Sequence, residues 1–264
     1  MRLLLPALFA LFWSLQSSAN QNPLEISAKN LSDIVKVMAS DDFEGRAPGT
    51  PGEDKTVAYL IAQMQKIGLE PGGVNGSWTQ AVPMMRSEVE SPVTMTFSTP
   101  ETVLTLNQGV SVSVDTATAL TNISAADVPV VFVGFGANAP EQDWDDYGDI
   151  DLADKLVIYL VNDPDFAAQP DEPVAGRFGN RRMTYYGRWA YKFEEAARRG
   201  AFGALVIHET EAAGYDWSVA AEGAGENVSL ANKDPKALPV KLQGWLHNDA
   251  AHKLLATAGH DLDA

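Results

Sequence analysis

The sequence contains no cysteine and only four histidines in 264 residues. That removes disulfide frameworks, Cys-ligated zinc, iron–sulfur clusters and thiol nucleophiles together, so any metal site has to be built from His, Asp and Glu. The histidines, at 208, 247, 252 and 260, all fall in the last quarter of the chain. Basic residues are also scarce: 19 Lys and Arg against 35 Asp and Glu leave a formal charge of −16. Such a chain repels a phosphate backbone, which makes nucleic acid and anionic membrane surfaces poor partners. Hydrophobic residues make up 45% and charged residues 20%, a composition that supports a packed core and argues against intrinsic disorder.

One long apolar run is present, at the N-terminus. Met1-Arg2 gives a positive start, Leu3 to Leu15 is almost wholly apolar, and Gln16-Ser17-Ser18-Ala19 ends in small residues. This is the pattern of a secretory signal cut after Ala19. The run is too short for a membrane anchor, which needs roughly 20 apolar residues. The expected mature protein is soluble, secreted or periplasmic, and held together by core packing alone.

Leu31, Ile34, Val35 and Met38 recur at helical spacing, with Asn30 as the expected N-cap. Thr50-Pro51-Gly52-Glu53 combines a capping-box pair with Pro at the first helical position, and Val57, Leu60, Ile61 and Met64 continue the stripe to Gly68. This spacing predicts a helix over 51–67. The Gly- and Pro-rich loop Glu44 to Gly49 between the two helices must follow a defined path. Val93 to Phe97 and Val110 to Val114 alternate as half-buried strands do, whereas Val128 to Val133 and Leu156 to Val161 are continuous apolar runs expected of strands buried on both faces. A helix between Arg188 and Arg199 closed by Gly200, strands at Ala204 to Ile207 and Leu238 to Leu242, and a last helix over Ala250 to Ala258 complete an α/β reading. The stretch from Asp163 to Gly179 is too long for a tight turn and reads as a surface excursion.

No local motif is complete. Gly134-Phe135-Gly136-Ala137-Asn138-Ala139 fits the dinucleotide pattern, but Pro140 and an acidic run follow where a helix is required. Asp143, Asp145, Gly148, Asp149 and Asp151 resemble part of a calcium loop, with Tyr147 and Asp154 at the wrong positions; a solvated turn is the simpler reading. His208-Glu209-Thr210-Glu211-Ala212 begins as the zinc motif H-E-x-x-H but ends in Ala. His247 and His252, five apart, do not share a helical face. The α/β-hydrolase elbow G-x-S-x-G does not occur.

Two stretches resemble a known family. Ala39 to Gly52, with its Asp41-Asp42-Phe43-Glu44-Gly45-Arg46 core, and Ile67-Gly68-Leu69-Glu70-Pro71 resemble the start of the secreted zinc aminopeptidases of metallopeptidase family twenty-eight. Val131 to Gly136, Trp144-Asp145-Asp146-Tyr147, Val161-Asn162-Asp163-Pro164, Met183 to Trp189 and Lys192 to Gly200 resemble the protease-associated (PA) domain inserted in many of those enzymes. The resemblance implies an α/β chain with a signal peptide over 1–19, an N-terminal segment of the peptidase domain over 20–115 and a PA-like α/β insertion over 116–264. It implies peptide substrates cleaved at a free N-terminus and two zinc ions held by two His, a bridging Asp and further Asp or Glu. In the family those ligands follow the insertion, and none has a counterpart in this sequence. Together with the abrupt Asp261-Leu262-Asp263-Ala264, this gives the expectation of an N-terminal portion that has no catalytic residue or metal ligand and is inactive alone.

Four residues remain as substrate-cleft candidates. Arg46 suits a substrate carbonyl or carboxylate, or equally a pairing with Asp41, Asp42 or Glu44 that fixes its loop. Tyr185, Tyr186 and Arg188 precede the insertion's helix and either line a lid or serve packing. A non-catalytic PA-type binding protein is the alternative function. The oligomeric state is not readable from the sequence.

Overall fold

The computed structural model describes residues 26–90, 93–223, 225–231 and 239–263. The expected signal segment lies outside the described residues. By compactness the chain divides after Gln80 into two units, earlier than the junction at 115/116 that the resemblance implies.

The smaller unit holds α1 (Ala28–Met38) and α2 (Pro51–Lys66). Ser27, not Asn30, caps α1: its hydroxyl accepts from the Asn30 amide at 3.3 Å, which makes Asn30 a first-turn residue. Thr50 caps α2 as expected, and Glu53 reaches back to the amide of Gly49 at 2.5 Å, one residue further than an ideal capping box. Gly68 ends α2 at φ +82, and the amides of Gly68 and Leu69 return to Gln65 and Met64 in the Schellman pattern. Between the helices Glu44, Gly45 and Arg46 all have positive φ, so this loop does take a fixed and costly path. Gly52 packs so closely that a Cβ would lie 2.2 Å from the Phe43 carbonyl. Leu31 and Val35 on α1 are exposed.

The larger unit is mixed α/β, built on one five-stranded sheet. Its elements in order are β1 (Met84–Glu88), β2 (Thr94–Ser98), β3 (Val103–Asn107), β4 (Val112–Asp115), β5 (Val130–Phe132), β6 (Asn138–Ala139), β7 (Trp144–Asp145) and β8 (Leu156–Leu160), then α3 (Trp189–Arg198), β9 (Gly203–His208), α4 (Thr210–Ala213), α5 (Trp217–Ala221), β10 (Glu226–Leu230), β11 (Leu242–His247) and α6 (Asn248–Thr257). The sheet runs β4-β11-β9-β8-β5, with β5, β8, β9 and β11 parallel and β4 antiparallel at one edge. Val157, Tyr159, Ala204 and Val206 face α3 through Phe193 and Ala196. Leu156, Ile158, Leu205 and Ile207 face α6 and the β2–β3 hairpin through Leu254, Phe97 and Leu106. Two-sided burial is what makes β8 and β9 read as unbroken apolar runs.

β5 departs from that expectation. It is an edge strand, with Val130 and Phe132 each about two-fifths exposed at 42% and 39%, because no further strand among the described residues covers its outer side. The strand expected at Leu238 to Leu242 begins at Leu242 instead; Leu238 lies outside the described residues. The excursion from Asp163 to Gly179 has no regular structure, yet it is not merely superficial: Asp163, Asp165 and Phe178 within it are buried.

Candidate functional site

In open parallel sheets the carboxyl ends of the strands present loops that bind ligands. Here those ends carry Gly134 to Ala137 after β5, Asn162 to Asp165 after β8, His208-Glu209 after β9 and His247 after β11. Lys192, one turn into α3, joins two of these loops. It lies in the apolar stripe beside Phe193, is 0% exposed, and donates to the carbonyl oxygens of Phe135 and, at 3.1 Å, Asn162. Burial pulls its pKa down to about 7, against the opposing pull of Asp163 and Asp146. Burial in turn raises both carboxyls, while backbone donors and Lys192 hold them down.

Asp163 fastens the excursion. Its carboxylate accepts from the Thr184 amide at 2.6 Å and the Thr184 hydroxyl at 2.7 Å. The Asn162 amide donates to the Gly187 carbonyl at 3.0 Å, and a Cβ on Gly187 would lie 2.9 Å from Asp163 Oδ1, so only glycine allows the approach. The Asn162 side chain donates onward to the Ala212 carbonyl at 2.7 Å. Asp165 Oδ2 accepts from Phe178 and Asn180 amides at 2.9 and 2.8 Å, while its Oδ1 is buried without a partner beside a cavity of about 460 Å³. The acidic run is used locally too. Asp146 accepts from Ala137 N and Trp144 Nε1, both at 2.8 Å, and Tyr147 is buried, so the segment is an anchored corner rather than a solvated turn. Gly136 belongs to the same corner: a Cβ there would meet the Tyr159 ring at 2.3 Å, and the next element is β6, not a nucleotide-binding helix.

The cleft candidates separate. Tyr185 and Tyr186 come together on Tyr191, edge-on at 5.6 and 5.1 Å, and their hydroxyls donate to Glu194 and Glu141, both at 2.7 Å. Those carboxylates raise both phenols, Tyr186 to about 12. Arg188 is the N-cap residue of α3, exposed and without a side-chain partner among the described residues. Arg46 belongs to the smaller unit. It pairs with none of Asp41, Asp42 or Glu44; its guanidinium donates to the Met38 carbonyl at 2.5 Å, at the C-terminus of α1, where a cation is favoured. Lys55 takes the place expected of it, bonding Glu44 and the Asp42 carbonyl at 2.8 and 2.7 Å.

His208 and His247 are register partners at the ends of β9 and β11. His208 is buried among the rings of Tyr215, Trp217 and Trp245, 5.4 to 5.6 Å away, and burial lowers its pKa. His247 Nδ1 accepts from the Asp249 amide and caps α6. Glu209 caps α4 through Glu211 N and Ala212 N, which is a structural role and not that of a general base. His208 Nε2 is buried without a partner among the described residues, while His247 Nδ1 and the Glu209 oxygens are engaged in caps, and this set does not fit a two-zinc centre. The fold does assemble one mixed cluster that spacing along the chain did not reveal: ligand atoms of His252, Asp261 and Asp263 lie within 4.8 Å of one another, largely exposed. On the other face a groove of about 1900 Å³ opens beside β2, β5 and α6, with Asp115 at its wall. Lys192 itself had a sequence signal, a lone lysine three residues after Trp189 on an otherwise apolar stripe.

No family model, no curated protein and no solved structure matches this chain.

Proposed function

We propose that the chain is the N-terminal portion of a secreted zinc aminopeptidase of metallopeptidase family twenty-eight, and that its PA-like insertion over 116–264 acts as a lid or substrate-access element over peptide substrates. The two zinc ions and their catalytic carboxylate belong, in this reading, to sequence other than that given, and the given chain is inactive alone. One observation carries the reading. The segments that bear the family resemblance are the ones the network uses: Trp144 to Tyr147 form the anchored corner, Asn162-Asp163 and Thr184 to Gly187 form the clamp, and Lys192 to Gly200 supply the buried amine and the α3 C-cap.

The direct test is to purify residues 20–264 with added zinc and offer an aminoacyl chromogenic substrate. The expected result is no turnover; turnover abolished by a chelator would overturn the assignment of catalysis to other sequence. Reading the coding sequence past Ala264 tests the parent, where two His, a bridging Asp and further carboxylates are expected. A family-like continuation with those ligands substituted would favour the second reading, a non-catalytic PA-type binding protein. That alternative draws on the aromatic and guanidinium groups displayed at Tyr185 to Trp189 beside a fully internal polar network.

A further inference from the structure

The charge of this protein is unevenly placed. From Pro173 to Phe193 the chain carries Arg177, Arg181, Arg182, Arg188 and Lys192 and no Asp or Glu, within a molecule of net charge −16. Three of these cations are engaged. Lys192 is buried, Arg177 donates to the carbonyls of Pro173 and Gln142 at 3.0 and 3.1 Å, and Arg181 is paired with Glu211 over the Phe166 ring. Arg182 and Arg188 are exposed and have no side-chain partner among the described residues. The same segment carries two exposed aromatic side chains, Tyr185 at 53% and Trp189 at 47%. Acidic groups at this surface are Glu194 and Glu141, which accept from Tyr185 and Tyr186, with Glu194 also 3.7 Å from Arg198.

We infer that the ridge from Arg182 to Trp189 docks an acidic polypeptide segment, with Arg182 and Arg188 pairing to Asp or Glu carboxylates and Tyr185 and Trp189 packing on the intervening side chains. Arginine with tyrosine and tryptophan is the composition of interface hot spots, and guanidinium matches carboxylate in a two-pronged geometry. The ridge is held ready. Thr184 and Gly187, inside it, are fastened to Asp163 and Asn162, so little ordering cost attends binding. Charge complementarity selects the partner class. The molecule as a whole repels polyanions, and screening confines attraction to within about 8–10 Å of the ridge. Two free guanidiniums suit a short acidic motif, whereas a nucleic-acid site needs many more phosphate contacts. This inference stands apart from the zinc-peptidase reading, because it concerns a surface that is present whether or not the protein hydrolyses anything.

The experiment is fluorescence anisotropy on the full chain with a fluorescein-labelled peptide rich in Asp and Glu, its Asn/Gln counterpart, and a single-stranded DNA oligomer of equal length. The acidic peptide is expected to bind more tightly than both, and more weakly as salt is raised. The double variant Arg182→Glu/Arg188→Glu should weaken it about tenfold or more, and Trp189→Ala should weaken it as well. Lys253→Glu, on the exposed side of α6, should leave binding unchanged. If the double reversal lowers the melting temperature, Arg182→Gln/Arg188→Gln decides in its place. Equal binding of the acidic and amide peptides, binding of DNA without the acidic peptide, or indifference to both pairs of substitutions would overturn the inference.

Discussion

Replacing Lys192 with Met probes the carboxyl-edge network where it is most concentrated. The two side chains are close in length, and methionine removes the ammonium and its donors. The distance between an ordinary lysine pKa of 10.5 and about 7 in the folded protein corresponds to about 5 kcal/mol against the charged form. At pH 7 the folded chain still carries most of that penalty, about 4 kcal/mol, and methionine escapes it. What is lost is the donor to the carbonyls of Phe135 and Asn162, each left buried at about 1–3 kcal/mol. At pH 7 the two effects oppose each other at similar size, so Lys192→Met should lie within about 2 kcal/mol of wild type. The pH dependence separates this from a simple packing loss. The folded chain binds the Lys192 proton more weakly than the unfolded chain does. The unfolded state therefore holds more protons between pH 7 and 10.5, and stability rises with pH across that window. Below it both states are protonated and the penalty is complete. The stability of wild type relative to Lys192→Met should thus rise by about 2 kcal/mol between pH 7 and 9, with other titrating groups cancelling in the difference. Urea denaturation of both proteins at the two pH values measures it. A difference between the two proteins that does not change with pH would refute the reasoning.

Asp115→Asn should act in the opposite direction. Burial raises this carboxyl to about 6, against donors from Asn227 and Gln243, so it ionises less readily folded than unfolded. Wild-type stability accordingly falls as pH rises from about 4 to about 6, and the asparagine, which keeps the acceptor, should be more stable above that window by about 3 kcal/mol, read by urea denaturation. Gly187→Ala should cost about 2 kcal/mol through overpacking against Asn162 and Asp163, and should speed proteolysis within residues 165–183 more than elsewhere; an unchanged digestion pattern would count against the clamp.

Much of the secondary structure was legible because it rests on local chemistry. The Thr50 and Glu53 cap, the Gly68 and Gly200 stops and the apolar runs of β8 and β9 each follow from residue type and spacing. What the sequence did not reveal depends on neighbours distant along the chain. The run at Val128 to Val133 looks like that of β8, yet β5 is half exposed because strand order leaves it at the edge. Asp163 and Asp165 read as loop acids, since nothing local announces that Thr184, Phe178 and Asn180 return to meet them. Arg46 drew attention to nearby carboxylates, while the backbone twist through Glu44 and Gly45 turned it to the end of α1. The dispersed histidines illustrate the converse: strand register brings His208 and His247 side by side, and burial among aromatic rings removes the metal chemistry that their pairing alone invites.

The division of labour at the carboxyl edge bears on what kind of function it can serve. Lys192, Asp146, Asp163, Asn162 and Glu209 would make a catalytic constellation if their polar atoms converged on a cleft. Instead each is bound to a main-chain group of a neighbouring loop: the amine to two carbonyls, the carboxylates to the amides of Ala137, Thr184, Glu211 and Ala212, and the amide to Ala212. A general base needs a free lone pair within reach of substrate, and a nucleophile needs exposure. Among the described residues these groups are engaged in fixing loop positions, and Asp163 and Lys192 are fully buried. The groups that remain outward on the fixed loop are guanidinium, phenol and indole, which recognise and pack but supply no proton transfer near neutral pH. The edge therefore presents these outward groups on loops whose positions are fixed from within.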